Sequence, residues 1–206
     1  MSMTKYPKIE TLYVRDKKTF KVDPSQLKNR VYGQIKTWCF TEKIDGTNIR
    51  CIWKDQKLTF NGRTDKAQIH ADLIQHLYDT VSTEKLAEIF PDIDAVIYGE
   101  GYGAGIQKGG LYSDTKKFIM FDVLVADKWW LTQENVNKVA GKIGLDVVPD
   151  FGVMTLEDAT EFVKQGFQSK LNGGLMQAEG LVGRTIEPLF DKKGHRLIIK
   201  LKTKDF

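Results

Sequence analysis

The chain has 206 residues, of which 41% are hydrophobic and 28% charged, enough to bury a sizeable core as one large domain. A net charge of +4 leans basic without the cation run of a disordered nucleic-acid tail, and it suits a local groove for phosphates. Two cysteines make neither a disulfide framework nor a zinc site, no apolar run approaches a membrane span, and no signal-peptide core opens the chain, so a cytoplasmic setting is expected.

In chain order, residues 1–30 read as a cover segment packed onto a single domain covering 1–206, with Ile9 to Val14 as its one strong strand candidate. From Gln34 the pattern is β: Ile35 to Phe40, Thr47 to Trp53, then Leu58 to Phe60 after a polar turn. Between the first two strands stands Thr41-Glu42-Lys43-Ile44-Asp45-Gly46-Thr47-Asn48. A lysine at a strand end, followed by an acid able to orient it, is placed to act as a nucleophile once it loses its proton among other cations. Gly46 lets the backbone approach a ligand closely. Arg63 emerges after Asn61-Gly62.

Ala67 to Val81 and Thr83 to Phe90 carry helical periodicity, and Pro91 ends the second helix. His70 and His76 lie on the first of these without a third metal ligand at suitable spacing. A strand from Ala95 to Tyr98 leads into a loop with six glycines between Gly99 and Gly110, beside Glu100 and Lys108. That loop does not complete a dinucleotide fingerprint, and there is no P-loop string. Phe118 to Val125 is the most apolar strand, and its Asp122 must meet water, a ligand or a partner because burying a lone carboxylate is costly. Helices over Thr132 to Ile143 and Thr155 to Gly166 flank a strand around Val147-Val148 that ends at Pro149. Then come Leu175 to Thr185, with Glu179-Gly180-Leu181-Val182, and a final strand from His195 to Lys202, where Lys200 and Lys202 share one face.

Taken in order, a strand-end Lys-x-Asp-Gly, an arginine, a glutamate after a strand, Phe-Asp, Glu-Gly-Leu-Val and Lys-x-Lys resemble the motif series of the covalent nucleotidyltransferases, the DNA ligases, RNA ligases and RNA capping enzymes. The match spans Lys43 to Lys202. Asn48, five residues after the lysine, Tyr98-Gly99-Glu100 followed by Gly103-x-Gly105-x-Gln107-Lys108, and the softer Tyr6-Pro7-Lys8-Ile9-Glu10 resemble the RNA ligase 2 branch. Lys202 stands four residues before the end of the sequence, and the resemblance is to an adenylyltransferase domain without the C-terminal domain that this branch uses in sealing, so the expectation for the later steps is open.

The resemblance implies an α+β fold of two antiparallel sheets cradling a nucleotide, with helices outside. It implies an ATP-dependent RNA ligase in which Lys43 attacks the α-phosphorus of ATP to give lysyl-AMP. AMP then passes to a nucleic-acid 5′-phosphate, and a 3′-OH displaces it. By the same resemblance Lys200 and Lys202 neutralise charge on the α-phosphate, and Glu179 binds Mg²⁺, with Mn²⁺ as the alternative. Glu100 binds the ribose hydroxyls, and Phe121 stacks on adenine, with Phe118 as the alternative. Asn48 and Arg63 hold ribose or phosphate, and Glu42 and Lys200 join the cofactor-binding set. RNA ends carrying 5′-phosphate and 3′-OH are the favoured partners, with no membrane. The alternatives are a minimal ATP-dependent DNA ligase core and a module that binds nucleotide or nucleic acid and does not seal unaided; a partner that supplies a sealing domain is a further expectation. A GTP-using capping enzyme is disfavoured by Asn48, and NAD⁺ as donor by the shortness of the segment before Arg30.

Overall fold

The computed structural model describes residues 5–206, so residues 1–4 of the expected cover segment lie outside the described residues. The first six strands are β1 (Glu10–Thr11), β2 (Tyr13–Arg15), β3 (Val22–Leu27), β4 (Trp38–Glu42), β5 (Thr47–Lys54) and β6 (Lys57–Gly62). The others are β7 (Ala95–Tyr102), β8 (Lys117–Val125), β9 (Trp129–Trp130), β10 (Asp150–Met154), β11 (Gly180–Arg184) and β12 (Ile198–Lys202). Four helices accompany them: α1 (Ala71–Thr80), α2 (Thr83–Ile89), α3 (Gln133–Ile143) and α4 (Leu156–Gln165). The class is α+β with two five-stranded sheets, as the motif series implies. No helix among the described residues is long and apolar enough to cross a membrane.

The chain divides into two compact units. One comprises Asp45–Val148 with the described residues before Pro7; the other comprises Pro7–Ile44 and Pro149–Phe206.

The first unit is built on the antiparallel sheet β6-β5-β7-β8-β9. Alternation along the strands turns Ile49, Cys51 and Ile97 to one face, where Leu73 and Leu77 of α1, Leu86 of α2 and Val136 and Ala140 of α3 close the core. The helix spacing of four between Leu73 and Leu77 gives α1 the apolar stripe this needs.

The second unit is the sheet β1-β12-β11-β4-β10, antiparallel except for the β1–β12 pair, which is parallel. Helix α4 lays Leu156, Ala159 and Val163 on Trp38, Phe40, Leu181 and Ile199. Thr155 caps α4 reciprocally, accepting from the Asp158 amide at 3.1 Å and donating to its carboxylate at 2.8 Å, the pairing expected of a capping box.

Several boundaries differ from the sequence expectations. β4 starts at Trp38 because Ile35 closes a 3-10 turn, its N–H donating to the Tyr32 carbonyl. The expected strand at Val147-Val148 is a single bridge to Met120, and an unforeseen β10 follows Pro149. β7 runs on through Gly99, Glu100 and Gly101 to Tyr102 instead of opening into a loop. Its glycines are there for close approach: a Cβ on Gly99 would lie 2.3 Å from the Phe118 ring, and one on Gly101 would lie 2.4 Å from Leu73.

Candidate active site

Sheet order in the second unit brings three segments distant in sequence to one end. β11 lies between β4 and β12, with Leu181 opposite Glu42 and Gly180 opposite Lys202. Glu179, one residue before β11, therefore stands between Lys43, one residue after β4, and Lys202, the last residue of β12. The Lys43 amide donates to the Gly180 carbonyl at 2.9 Å, fixing the chain just where the side chain departs. Lys43 Nζ donates to Glu179 Oε2 at 2.7 Å, and Lys202 Nζ pairs with Oε1 at 2.5 Å. All three side chains are at most one-fifth exposed.

Burial pushes the Glu179 carboxyl up, but the charges of Lys43 and Lys202 outweigh it and hold the group below its ordinary value. Lys200, two residues back on the same face, is held below the ordinary lysine value by burial first, then by Lys202, Lys43 and Arg15. The Glu42 side chain is 1% exposed. Its Oε2 accepts the Lys170 amide at 2.9 Å, while Oε1 is buried with no hydrogen-bond partner. Burial raises its carboxyl above the ordinary value, against the pull of Ser169 and Lys170.

In the first unit Asn48 and Glu100 face each other across β5 and β7, so their side chains share the sheet face opposite the helix-covered core. Asn48 Oδ1 is buried and has no hydrogen-bond partner. Gly46 is required beside them, since a Cβ there would lie 2.3 Å from the Gly101 carbonyl oxygen and 2.9 Å from Glu100 Cγ. Phe118 is buried in the core. Phe121, half-buried, sits where β8 bulges between Asp122 and Met120, its ring edge-on to Tyr6 at 5.0 Å. Arg63 is exposed just after β6.

The sequence from residue 36 to residue 202 matches the family described as RNA ligase. The chain belongs to the RNA ligase family. Its fold is similar to solved structures of Naegleria gruberi RNA ligase. A lysine variant of that protein with ATP and Mn gives a TM-score of 0.67 at 16% identity, covering 98% of this chain and 64% of that one. An arginine variant with ATP and Mn gives 0.71 at 16% identity, over 98% and 56%. The form with PPi gives 0.67 at 18% identity, over 97% and 62%. This RNA ligase family chain thus spans about three-fifths of the length of those proteins.

Within this family member the structure gathers Lys43, Glu179, Lys200, Lys202 and Glu42 at one end of the second unit's sheet, and Asn48 and Glu100 at facing positions of the first unit's. Sequence reading missed three supporting groups. Tyr6 donates to Asp122 Oδ2 at 2.6 Å, answering the question that a carboxylate in an apolar strand had raised. Arg50, fully buried, donates to the Gly62 carbonyl at 2.9 Å and to Asp65 at 2.6 Å, gripping both sides of Arg63. Ser169 and Lys170 hold Glu42. An arginine within an apolar strand was a legible cue for the second; the others rest on contacts too remote in sequence to read.

Proposed function

We propose that this protein is an ATP-dependent RNA ligase that charges Lys43 with AMP. The observation that carries the reading is the Lys43–Glu179–Lys202 network, with Lys200 on the same face. A carboxylate set between Lys43 and Lys202, with Lys200 on the same face, serves no evident purpose in a passive binder. Cations gathered beside an amine suit attack on a phosphate, because they offset the charge that builds on its oxygens.

Lys43 Nζ, having given up its proton, attacks the α-phosphorus of ATP; the N–P bond forms and the P–O bond to pyrophosphate breaks. Lys200 and Lys202 stabilise the charge that builds on the α-phosphate oxygens. In this reading, as the resemblance implies, the chain's own metal donor is the Glu179 carboxylate. That donor fits Mg²⁺ or Mn²⁺, since Mg²⁺ binds through one or two carboxylates and keeps waters and substrate phosphates for the rest. When bound, the cation would offset charge on the transferring phosphate. The nucleoside falls to Asn48, Glu100, Phe121 and Arg63, and the unpaired Asn48 Oδ1 and Glu42 Oε1 are acceptors waiting for N–H or O–H donors. A donor brought to either atom recovers the cost of leaving that buried acceptor unpaired.

AMP next passes from Lys43 to an RNA 5′-phosphate, and a 3′-OH displaces it. The deciding experiment incubates the purified chain with α-labelled ATP and Mg²⁺, then adds nicked RNA and nicked DNA duplexes. Label on the protein that moves to RNA and yields sealed product is the expected result. Label that stays on the protein assigns sealing to a partner or a further domain; absence of label returns the protein to a binding role.

A further inference from the structure

The charge of this chain is concentrated at its start. Residues 1–36 hold nine lysines and arginines against three carboxylates, a net of +6. With 31 basic and 27 acidic residues overall, the remainder holds 22 against 24, a net of −2. The hairpin β2–β3 forms the middle of that segment. Its acids are committed internally: Asp16 Oδ1 accepts from the amides of Lys18 and Thr19 and from the Thr19 hydroxyl, and Asp23 accepts from Ser25. Four cations of the segment are not: Lys17, Lys18, Lys28 and Arg30 are exposed and belong to no ion pair among the described residues.

At the hairpin tip stands Phe20, 65% exposed and at φ 60°. A bulky side chain in the left-handed region is strained, and a residue kept both strained and exposed calls for a use outside the core. The turn that holds it is pinned by Asp16, whose carbonyl also accepts the Phe20 amide at 3.1 Å. Along the same hairpin Val14, Ser25, Gln26, Leu27, Lys28 and Arg30 line an open cavity of about 610 Å³. The hairpin also adjoins the strand that carries the catalytic lysines. Thr11 of β1 lies opposite Lys200. Lys21 Nζ donates to the carbonyls of Lys204 and Phe206, and Arg15 pairs with Asp205.

We infer that the β2–β3 hairpin is a docking surface for single-stranded nucleic acid, an expectation that rests on the RNA ligase reading. Lys17, Lys18, Lys28 and Arg30 follow the phosphates, and Phe20 stacks under one base. Unpaired cations beside one exposed aromatic are the pairing that single strands select: charge for the backbone, a flat ring for a base. Phosphates alone would not need Phe20.

The test titrates a fluorescent oligoribonucleotide with the full chain, reading anisotropy over a series of NaCl concentrations. Wild type is compared with Phe20→Ala and with the double variant Lys17→Ser/Lys18→Ser, after thermal melting has shown each to be folded. Phe20→Ala should weaken binding about 5- to 150-fold, the equivalent of one base–aromatic stack, with the salt slope unchanged. The lysine variant should flatten the slope of log K against log salt by about 0.7 for each phosphate that it no longer neutralises. Neither variant should alter lysyl-AMP formation, which needs no RNA. Unchanged affinity and slope in both variants would overturn the inference. So would variants that lose binding to anionic lipid vesicles while keeping RNA. If wild type forms no lysyl-AMP, the ligase reading falls, and the binding titration still judges the hairpin.

Discussion

Replacing Tyr6 by phenylalanine removes one oxygen from the interior and nothing else. Asp122 is fully buried, and its Oδ2 accepts the Tyr6 hydroxyl at 2.6 Å while Oδ1 accepts the Val123 amide at 3.0 Å. A hydrogen bond to a charged acceptor is worth about 1.5–3 kcal/mol, and the acceptor left behind is desolvated. For a chain of this size about 1 kcal/mol shifts the melting temperature by about 2–4 °C, so Tyr6→Phe should melt about 3–12 °C below wild type. The ring itself remains, with centroid distances of 5.0 Å to Phe121 and 5.6 Å to Trp130. The phenylalanine variant should therefore leave the KM for ATP in the labelling assay close to wild type. Tyr6→Leu, which takes away the edge contact with Phe121, should raise it. Thermal melting by circular dichroism alongside the KM measurement separates the two effects. A Tyr6→Phe protein that melts with wild type would refute the claim that this bond satisfies Asp122, and an unchanged KM in Tyr6→Leu would refute the positioning of Phe121 by Tyr6.

Lys43→Ala should abolish labelling by α-labelled ATP while the protein still melts cooperatively; label retained at the wild-type yield would exclude Lys43 as the nucleophile. Lys200→Met should cut labelling yet hold or raise the melting temperature, because burial and the charges of Lys202 and Lys43 disfavour the Lys200 cation. That cost is relieved as pH rises from its lowered value toward the ordinary ~10.4, so wild type should gain on the variant in this range; parallel profiles would contradict the assignment. Glu179→Gln should remove metal-dependent turnover. In metal-free buffer it should also flatten the acid limb of stability. A carboxylate held low stabilises the fold above its ordinary value of ~4.3, and that contribution is lost as pH falls through the lower folded value. Identical acid limbs for variant and wild type would count against the Lys43–Glu179–Lys202 network.

The α+β class and the chemistry-bearing motifs could be read from the sequence because their signals are local: a strand-end lysine in Lys-x-Asp-Gly, a Lys-x-Lys strand, a capped helix. What could not be read depends on distant partners. Gly99 and Gly101 look like loop residues by composition, and only the Phe118 ring and Leu73, packed against the same face, explain glycines in the middle of a sheet. Asp150 to Met154 escaped as a strand because Gly152 sits at a bulge, with its amide bound by Asp150. The hydroxyl that donates to Asp122 Oδ2 lies 116 residues earlier, and the acid that meets Lys43 lies 136 residues later. No window of sequence contains either pair.

Glu179 can serve two lysines only because its neighbour is glycine. Gly180 takes φ 150°, and a Cβ there would lie 1.9 Å from the Leu201 carbonyl oxygen and 2.8 Å from Lys202 Cα. Any side chain at this position would drive β12 away from β11, carrying Lys202 off the carboxylate it meets at 2.5 Å. The same residue offers its carbonyl to the Lys43 amide at 2.9 Å, so one backbone unit sets the separation of the two lysines from opposite sides. The Glu-Gly dipeptide is thus a single device. The acid supplies the charge, and the glycine lets three chain segments come close enough for that charge to reach both cations.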